Sequence, residues 1–254
     1  MVNRFYLLPF LVCAFGFSNS SFGVNMNKVI IVAIDGPAGA GKSTVAKQLA
    51  KKLGFLHIDT GAMYRSVTLS ALRKKADLKN DSELEKIAQE SKVELKPGEP
   101  DNKVFLNGED VSSEIRTPEV THASAHIANS VPVRKILVAR QQQMGRVDSA
   151  TYGGSVLEGR DIGTDVFPDA QYKFFLDASV ETRAKRRLMD LEKAGSKATL
   201  EQVMAEVQAR DDRDYKRAVG GLRKTPESIV MDHSDLSVDQ SAEALFQYIR
   251  QNPR

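Results

Sequence analysis

The residues with the plainest chemical purpose are Gly36-Pro37-Ala38-Gly39-Ala40-Gly41-Lys42-Ser43, followed by Thr44. Glycines at this spacing let backbone N–H groups wrap a chain of phosphates, and a helix starting at their end points its positive pole into the same space. Lys42 reaches toward the terminal phosphates, and the Ser43 hydroxyl suits Mg²⁺ that keeps part of its water shell. A glycine-rich string alone is a weak signal. Here it follows the apolar run 29–34, long enough for a strand buried on both faces, and precedes Val45, Ala46, Leu49, Ala50 and Leu53 at helical spacing. Strand, loop and helix in register read as a site for a nucleoside triphosphate.

Three arginine-bearing segments follow. The first is Asp59-Thr60-Gly61-Ala62-Met63-Tyr64-Arg65, and the second is Gly159-Arg160-Asp161, each directly after a strand-like stretch. Ligands of open parallel sheets bind beyond the carboxyl ends of the strands, where both segments would lie. Taken singly, either could be a turn with a surface ion pair. The third segment says more. In the helix expected over 199–217, Leu200, Val203, Met204 and Val207 form an apolar stripe, and the same stripe continues as Arg210, Asp214 and Arg217. Arginine ahead of an acid is the less favourable order for a helix-surface pair, so charges on that face point to an anionic ligand. Together these cations suit two phosphorylated ligands facing each other, and phosphoryl transfer needs little beyond positioning and charge neutralisation.

The elements that must hold these groups alternate. Gly54 closes the first helix, 55–58 reads as a strand, and Asp59 or Thr60 can cap a helix running to about residue 75. A helix over 82–91 and strands over 92–96 and 103–106 interrupt the alternation and read as an inserted subdomain. Residues 118–147 are helical in pattern, with a break near Pro132. Strands over 155–158, 172–177 and 229–232 follow, with helices over 180–193, 199–217 and 239–250; Thr199 with Gln202 forms a capping box. Strands alternating with helices predict an α/β fold with a parallel sheet covered on both faces.

Composition narrows the classes. The net charge of +3, with acids interspersed among bases, leaves no basic footprint for nucleic acid. The single cysteine, Cys13, excludes an internal disulfide, and the four histidines have no metal-ligand spacing. No Asn-Lys-x-Asp follows the loop, against a GTPase, and no long apolar strand ends in an acidic pair, against an ATPase motor. Arg4 followed by the apolar stretch 5–17, with small residues around Ser21 and Gly23, has the form of a secretory signal. A chain that needs ATP argues against export, and Met26 stands just ahead of the first strand. Residues 1–25 are therefore read as an extension or signal-like segment ahead of a domain over 26–254.

With those pieces in place, the chain resembles the bacterial cytidylate kinases. The resemblance rests on 34–44, 59–65, Gly108-Glu109-Asp110-Val111-Ser112-Ser113-Glu114-Ile115-Arg116, 159–163 with Val166-Phe167-Pro168-Asp169-Ala170, 174–178, and Arg210-Asp211-Asp212-Arg213-Asp214 running to Arg217-Ala218-Val219. It implies a P-loop NTPase three-layer sandwich, with a monophosphate-binding insertion over about 63–125 and a lid over about 179–196. It implies ATP held by Gly36, Pro37, Ala38, Gly39, Ala40, Gly41, Lys42, Ser43 and Thr44. The monophosphate clamp falls on Arg65, Arg160 and Arg217 with Thr60 near it, the ribose contacts on Arg210 and Asp214, and the cytosine contacts on Arg134 and Asp161. The serine that the family often places near the base amino group falls on Ala125, a departure from the pattern, and the further base contact is assigned to Ser124 beside it. Lys42, Arg160, Arg217 and the lid residue Arg183 would surround the transferred group, with Arg186 and Arg187 as further lid cations. Ser43, with Glu158 or Asp161, would hold Mg²⁺ and its waters. The implied enzyme is a cytoplasmic monomer that moves phosphate from ATP to CMP or dCMP, with no nucleic-acid or membrane partner. Two rivals remain on the residues alone: a kinase for another monophosphate or a small hydroxyl metabolite, and a nucleotide-dependent switch, which would need only one nucleotide site.

Overall fold

The computed structural model describes residues 29–98, 102–193 and 197–254. The signal-like segment, part of the 97–102 turn and the end of the expected lid lie outside them. Five strands, β1 (Ile30–Asp35), β2 (Leu56–Asp59), β6 (Gly154–Gly159), β7 (Tyr172–Asp177) and β8 (Ile229–Asp232), form one parallel sheet in the order β2-β6-β1-β7-β8. β1 lies in the middle, and every residue from Ile31 to Asp35 is buried, as a two-sided strand requires. Its carboxyl end lies level with that of β6, Asp35 opposite Gly159, so the glycine loop and the Gly-Arg-Asp turn leave the sheet side by side.

Alternating β1 side chains feed two cores. Val32 and Ile34 pack with Val45, Ala46 and Leu49 of α1 (Lys42–Leu53) and with Ala242, Leu245 and Ile249 of α8 (Val238–Gln251). Ile31 and Ala33 face the other way, onto α2 (Thr60–Arg73), α3 (Asp81–Glu90) and α5 (Val131–Gln143) through Met63, Val67, Ile87 and Leu137. This is the expected three-layer α/β arrangement. Apart from it, β3 (Val93–Lys96), β4 (Lys103–Leu106) and β5 (Glu109–Asp110) make a small antiparallel sheet. Its own core of Val104, Leu106, Val111, Ile115 and Val120 packs against Ala62 and Leu69 of α2.

The expected break near Pro132 falls at Ser130, between α4 (Pro118–Asn129) and α5, where Pro132 occupies the first turn. α6 (Val180–Lys193) and α7 (Leu200–Lys216) pack on each other through Ala184, Val203 and Val207. Thr199 and Gln202 form the capping box that fixes the start of α7.

Candidate active site

The loop begins where a side chain has no room. A Cβ on Gly36 would stand 2.0 Å from the carbonyl oxygen of Leu176, so the chain can leave β1 along β7 only as glycine. α1 then starts at Lys42 with no side-chain cap and no acid in its first turn, which leaves its leading N–H groups for an anion. The contrast with α2 is instructive: there the Asp59 carboxylate accepts from Ala62 N–H and closes the helix end. Lys42 is buried and donates to the Pro37 carbonyl at 2.8 Å, folded back over its own loop. Burial pushes its ammonium down to about 7, with Arg160 and Arg210 adding to that and Glu158 opposing. A bound polyphosphate would relieve that cation crowding. Thr44 is exposed on the cavity wall.

The Ser43 hydroxyl donates to Glu158 Oε1, and Asp161 is engaged elsewhere, so of the two acids considered for the metal it is Glu158 that stands beside Ser43. Burial and the neighbouring Asp59 carboxylate raise Glu158 to about 7. A hydroxyl and two facing carboxylates are hard oxygen donors with an excess of negative charge, and they fit Mg²⁺. No cluster of three His, Cys, Asp or Glu that could hold a metal ion exists among the described residues.

Two of the three arginines expected to clamp the monophosphate, Arg160 and Arg217, converge on Asp214. Arg160 Nε donates to its Oδ2 at 2.7 Å and Arg217 Nη2 to its Oδ1 at 2.6 Å. Arg217 also donates from Nε to Asn129 Oδ1 at 3.1 Å. Burial works to raise the Asp214 carboxyl, but Arg160 and then Arg217 hold it below the usual carboxylate range. Arg210, the expected partner on the same stripe, makes no hydrogen bond to a described residue; burial and the neighbouring Arg160 push it down to about 10. Arg65 donates to Asp59 at 3.2 Å, while its Nε is buried without a partner among the described residues. Thr60 spends its hydroxyl on the Glu158 carbonyl at 2.7 Å, stitching α2 to the end of β6.

Arg134 and Asp161 form a buried ion pair. The Tyr64 ring centroid lies 5.8 Å from the Arg134 guanidinium, and the Tyr64 hydroxyl is buried without a partner among the described residues. Burial raises Asp161 despite Arg134. Ser124 turns its hydroxyl back onto Thr121 of its own helix at 2.7 Å, and no contact joins it to this pair. Arg183 does not project as a free cation. It is buried, donating to Ala38 O at 3.0 Å and Ala178 O at 2.9 Å, and pairs with Asp211 at 2.7 Å. Arg186 donates to the His233 carbonyl at 3.1 Å, and Arg187 lines the cavity.

That cavity, of about 970 Å³, is lined by Ser43 and Thr44 together with Arg65, Arg210 and Arg187. Several of its supports escaped notice in the sequence. Asp35 accepts from Ile162 N and Gly163 N, each at 2.8 Å, and so binds the end of β1 to the turn carrying Arg160 and Asp161. A lone acid ending an apolar strand was the available signal. Asp211 lies four residues beyond Val207, on the same stripe that led to Arg210, and could have been found by that step. Asn129 had none.

Comparison with known proteins agrees with this geometry. A family model described as cytidylate kinase matches residues 32–251. The chain is 45% identical over 224 residues to a cytidylate kinase of Bacillus cereus (strain ATCC 10987 / NRS 248), covering 88% of this chain and 97% of that one. It is 46% identical over 221 residues to one of Bacillus thuringiensis (strain Al Hakam), covering 87% and 96%. The match takes in the glycine loop, the Gly-Arg-Asp turn and the α7 cations, and it is of a kind that shared fold alone does not produce: the chain belongs to the cytidylate kinase family of nucleotide phosphotransferases.

Proposed function

We propose that the protein moves the γ-phosphoryl group of ATP to CMP or dCMP, releasing ADP and CDP or dCDP. One observation carries the reading: Arg160 and Arg210, cations of two other elements, lie near enough to Lys42 of the triphosphate loop to act on its charge, so cations of three elements share one space, with Glu158 and Asp214 partly offsetting them. A switch needs one nucleotide site, whereas this charge suits a group passing between two. An oxygen of the CMP phosphate attacks the γ-phosphorus. The new P–O bond forms as the bond to the β–γ bridging oxygen breaks, and ADP leaves with that electron pair. A phosphate dianion needs no protein base, so charge neutralisation by Lys42, Arg160 and Arg217 is the chain's main contribution. Ser43 and Glu158 would hold Mg²⁺ with its waters, and the ion would supply further neutralisation of the triphosphate charge.

The Arg134–Asp161 pair supports cytosine as the acceptor base. A carboxylate accepts from the exocyclic amine and a guanidinium donates to the neighbouring ring nitrogen or carbonyl; uracil offers a carbonyl and an N–H in those places. In this reading 63–125 is the acceptor-holding insertion, 179–196 the lid, Arg210 and Asp214 face the ribose, and Ser124 comes near the base. The enzyme acts as a cytoplasmic monomer on free nucleotides. A coupled assay of ADP release with CMP, dCMP, UMP and AMP tests it. CMP or dCMP should be used with the highest kcat/KM, and a preference for UMP or AMP would refute the assignment.

A further inference from the structure

α7 touches both halves of the site through neighbouring carboxylates. On one side Asp214 holds Arg160 and Arg217. Three residues earlier, Asp211 is 4% exposed and does not line the cavity, yet it pairs with Arg183 at 2.7 Å. The same Arg183 nitrogen, Nη1, donates to the Ala38 carbonyl, inside the phosphate loop, while Nε is anchored on Ala178 O. The loop also runs beside this residue: a Cβ on Gly39 would lie 3.4 Å from both the Cβ and the carbonyl oxygen of Arg183. A displacement of Ala38 therefore reaches Arg183 through the hydrogen bond to its carbonyl, and Arg183 is itself buried and fixed at Ala178 O. Arg183 hands it to Asp211, and a capped helix of 17 residues carries Asp211 and Asp214 as one body.

We propose that Asp211 is a positioning residue which, through Arg183, couples the phosphate loop to the acceptor clamp, so that filling the loop tightens the hold on the monophosphate. This rests on the two-site reading given above. The coupling is a free energy between two sites and must be reciprocal: the factor by which one nucleotide favours the other is the same in both directions. ADP and CMP form no productive pair, so they measure it at equilibrium without turnover.

Calorimetric titration of CMP, alone and with saturating Mg·ADP, supplies the test. In the wild type, ADP should lower the CMP dissociation constant about fivefold or more, and CMP should lower that of ADP by the same factor. Asp211→Asn keeps the shape but removes the charge that holds Arg183; there the factor should fall to within about twofold of one, while CMP alone binds as before. Arg183→Lys cannot reach Ala38, Ala178 and Asp211 with a single ammonium, and should lose the factor in the same way. It also serves if Asp211→Asn does not fold. A melting temperature that falls while the factor stays at its wild-type value is what a purely structural pair produces, and would overturn the proposal. So would a wild-type protein that binds both nucleotides independently. A wild-type protein that binds ADP but no CMP would instead remove the functional reading, and the inference with it.

Discussion

Two buried carboxylates show how surroundings push one residue type in opposite directions. Asp214 sits between two guanidinium groups and is held ionised, whereas Asp35 meets only two backbone N–H groups and burial raises it to about 7. For Asp214 the expectation is kinetic and structural at once. Asp214→Asn should lower kcat/KM for CMP about ten- to a hundredfold, the cost of about 1.5–3 kcal/mol for a charged hydrogen bond, while the KM for ATP stays within about twofold. Its melting temperature should fall as well, because Arg160 and Arg217 lose their shared counter-charge; steady-state kinetics with a melting curve checks both. For Asp35 the sign follows from an acid whose pKa is higher folded than unfolded. It contributes stability at low pH, and that contribution is lost as pH rises from the unfolded value of 3.8 through about 7. The stability of the wild type relative to Asp35→Asn should therefore be greater at pH 5 than at pH 8. A gap that is constant across the two pH values would show that Asp35 does not titrate in this window.

At the scale of elements, the segment after α7 has a demand no pattern advertises. Gly220 has φ of 65°, and a Cβ there would stand 1.7 Å from Arg134 Nη2. The chain turns directly over the guanidinium that pairs with Asp161. Gly220→Ala should displace Arg134 and destabilise the fold by about 1 kcal/mol or more, since both φ and space are wrong for a side chain. The preference for CMP over UMP should fall about tenfold, as for one charged hydrogen bond misplaced. Competition assays with both acceptors would show it, and an unchanged preference would separate Arg134 from base recognition. The order of α7 itself was legible, because apolar steps at 203 and 207 and a capping box at 199 are local features.

For the molecule as a whole, the site is a seam between parts with separate cores. The sheet has one core on each face, the small antiparallel sheet has a third, and α6 with α7 a fourth. Elements with few shared apolar contacts are the ones that move at low cost, and both lie beside the cavity. The family match begins at residue 32, beyond Met26. A chain begun at Met26 should then melt at the same temperature and turn over CMP at the same rate as the full chain, within about 1 kcal/mol and twofold. A truncated protein that is insoluble or inactive would give the leading segment a role in the fold.

Much of this organisation could be read from residue order, because its causes are local. The apolar run before Gly36, the glycine spacing, the helix caps and the β-α alternation act over a few residues, and each element formed within a few residues of its expected bounds. Residue types near the ligands were legible for the same reason: arginines on a stripe otherwise apolar have few explanations. Partnership was not legible. Asp214 of α7 binds Arg160 from the turn after β6, Arg134 of α5 meets Asp161 of the same turn, Asp35 reaches that turn from the end of β1, and Arg183 turns inward to the loop and Asp211 where a projecting lid cation was expected. A carboxylate among several arginines has no preferred partner in sequence. The choice is made by which strands lie adjacent and how deeply each charge is buried, and those are properties of the packed sheet.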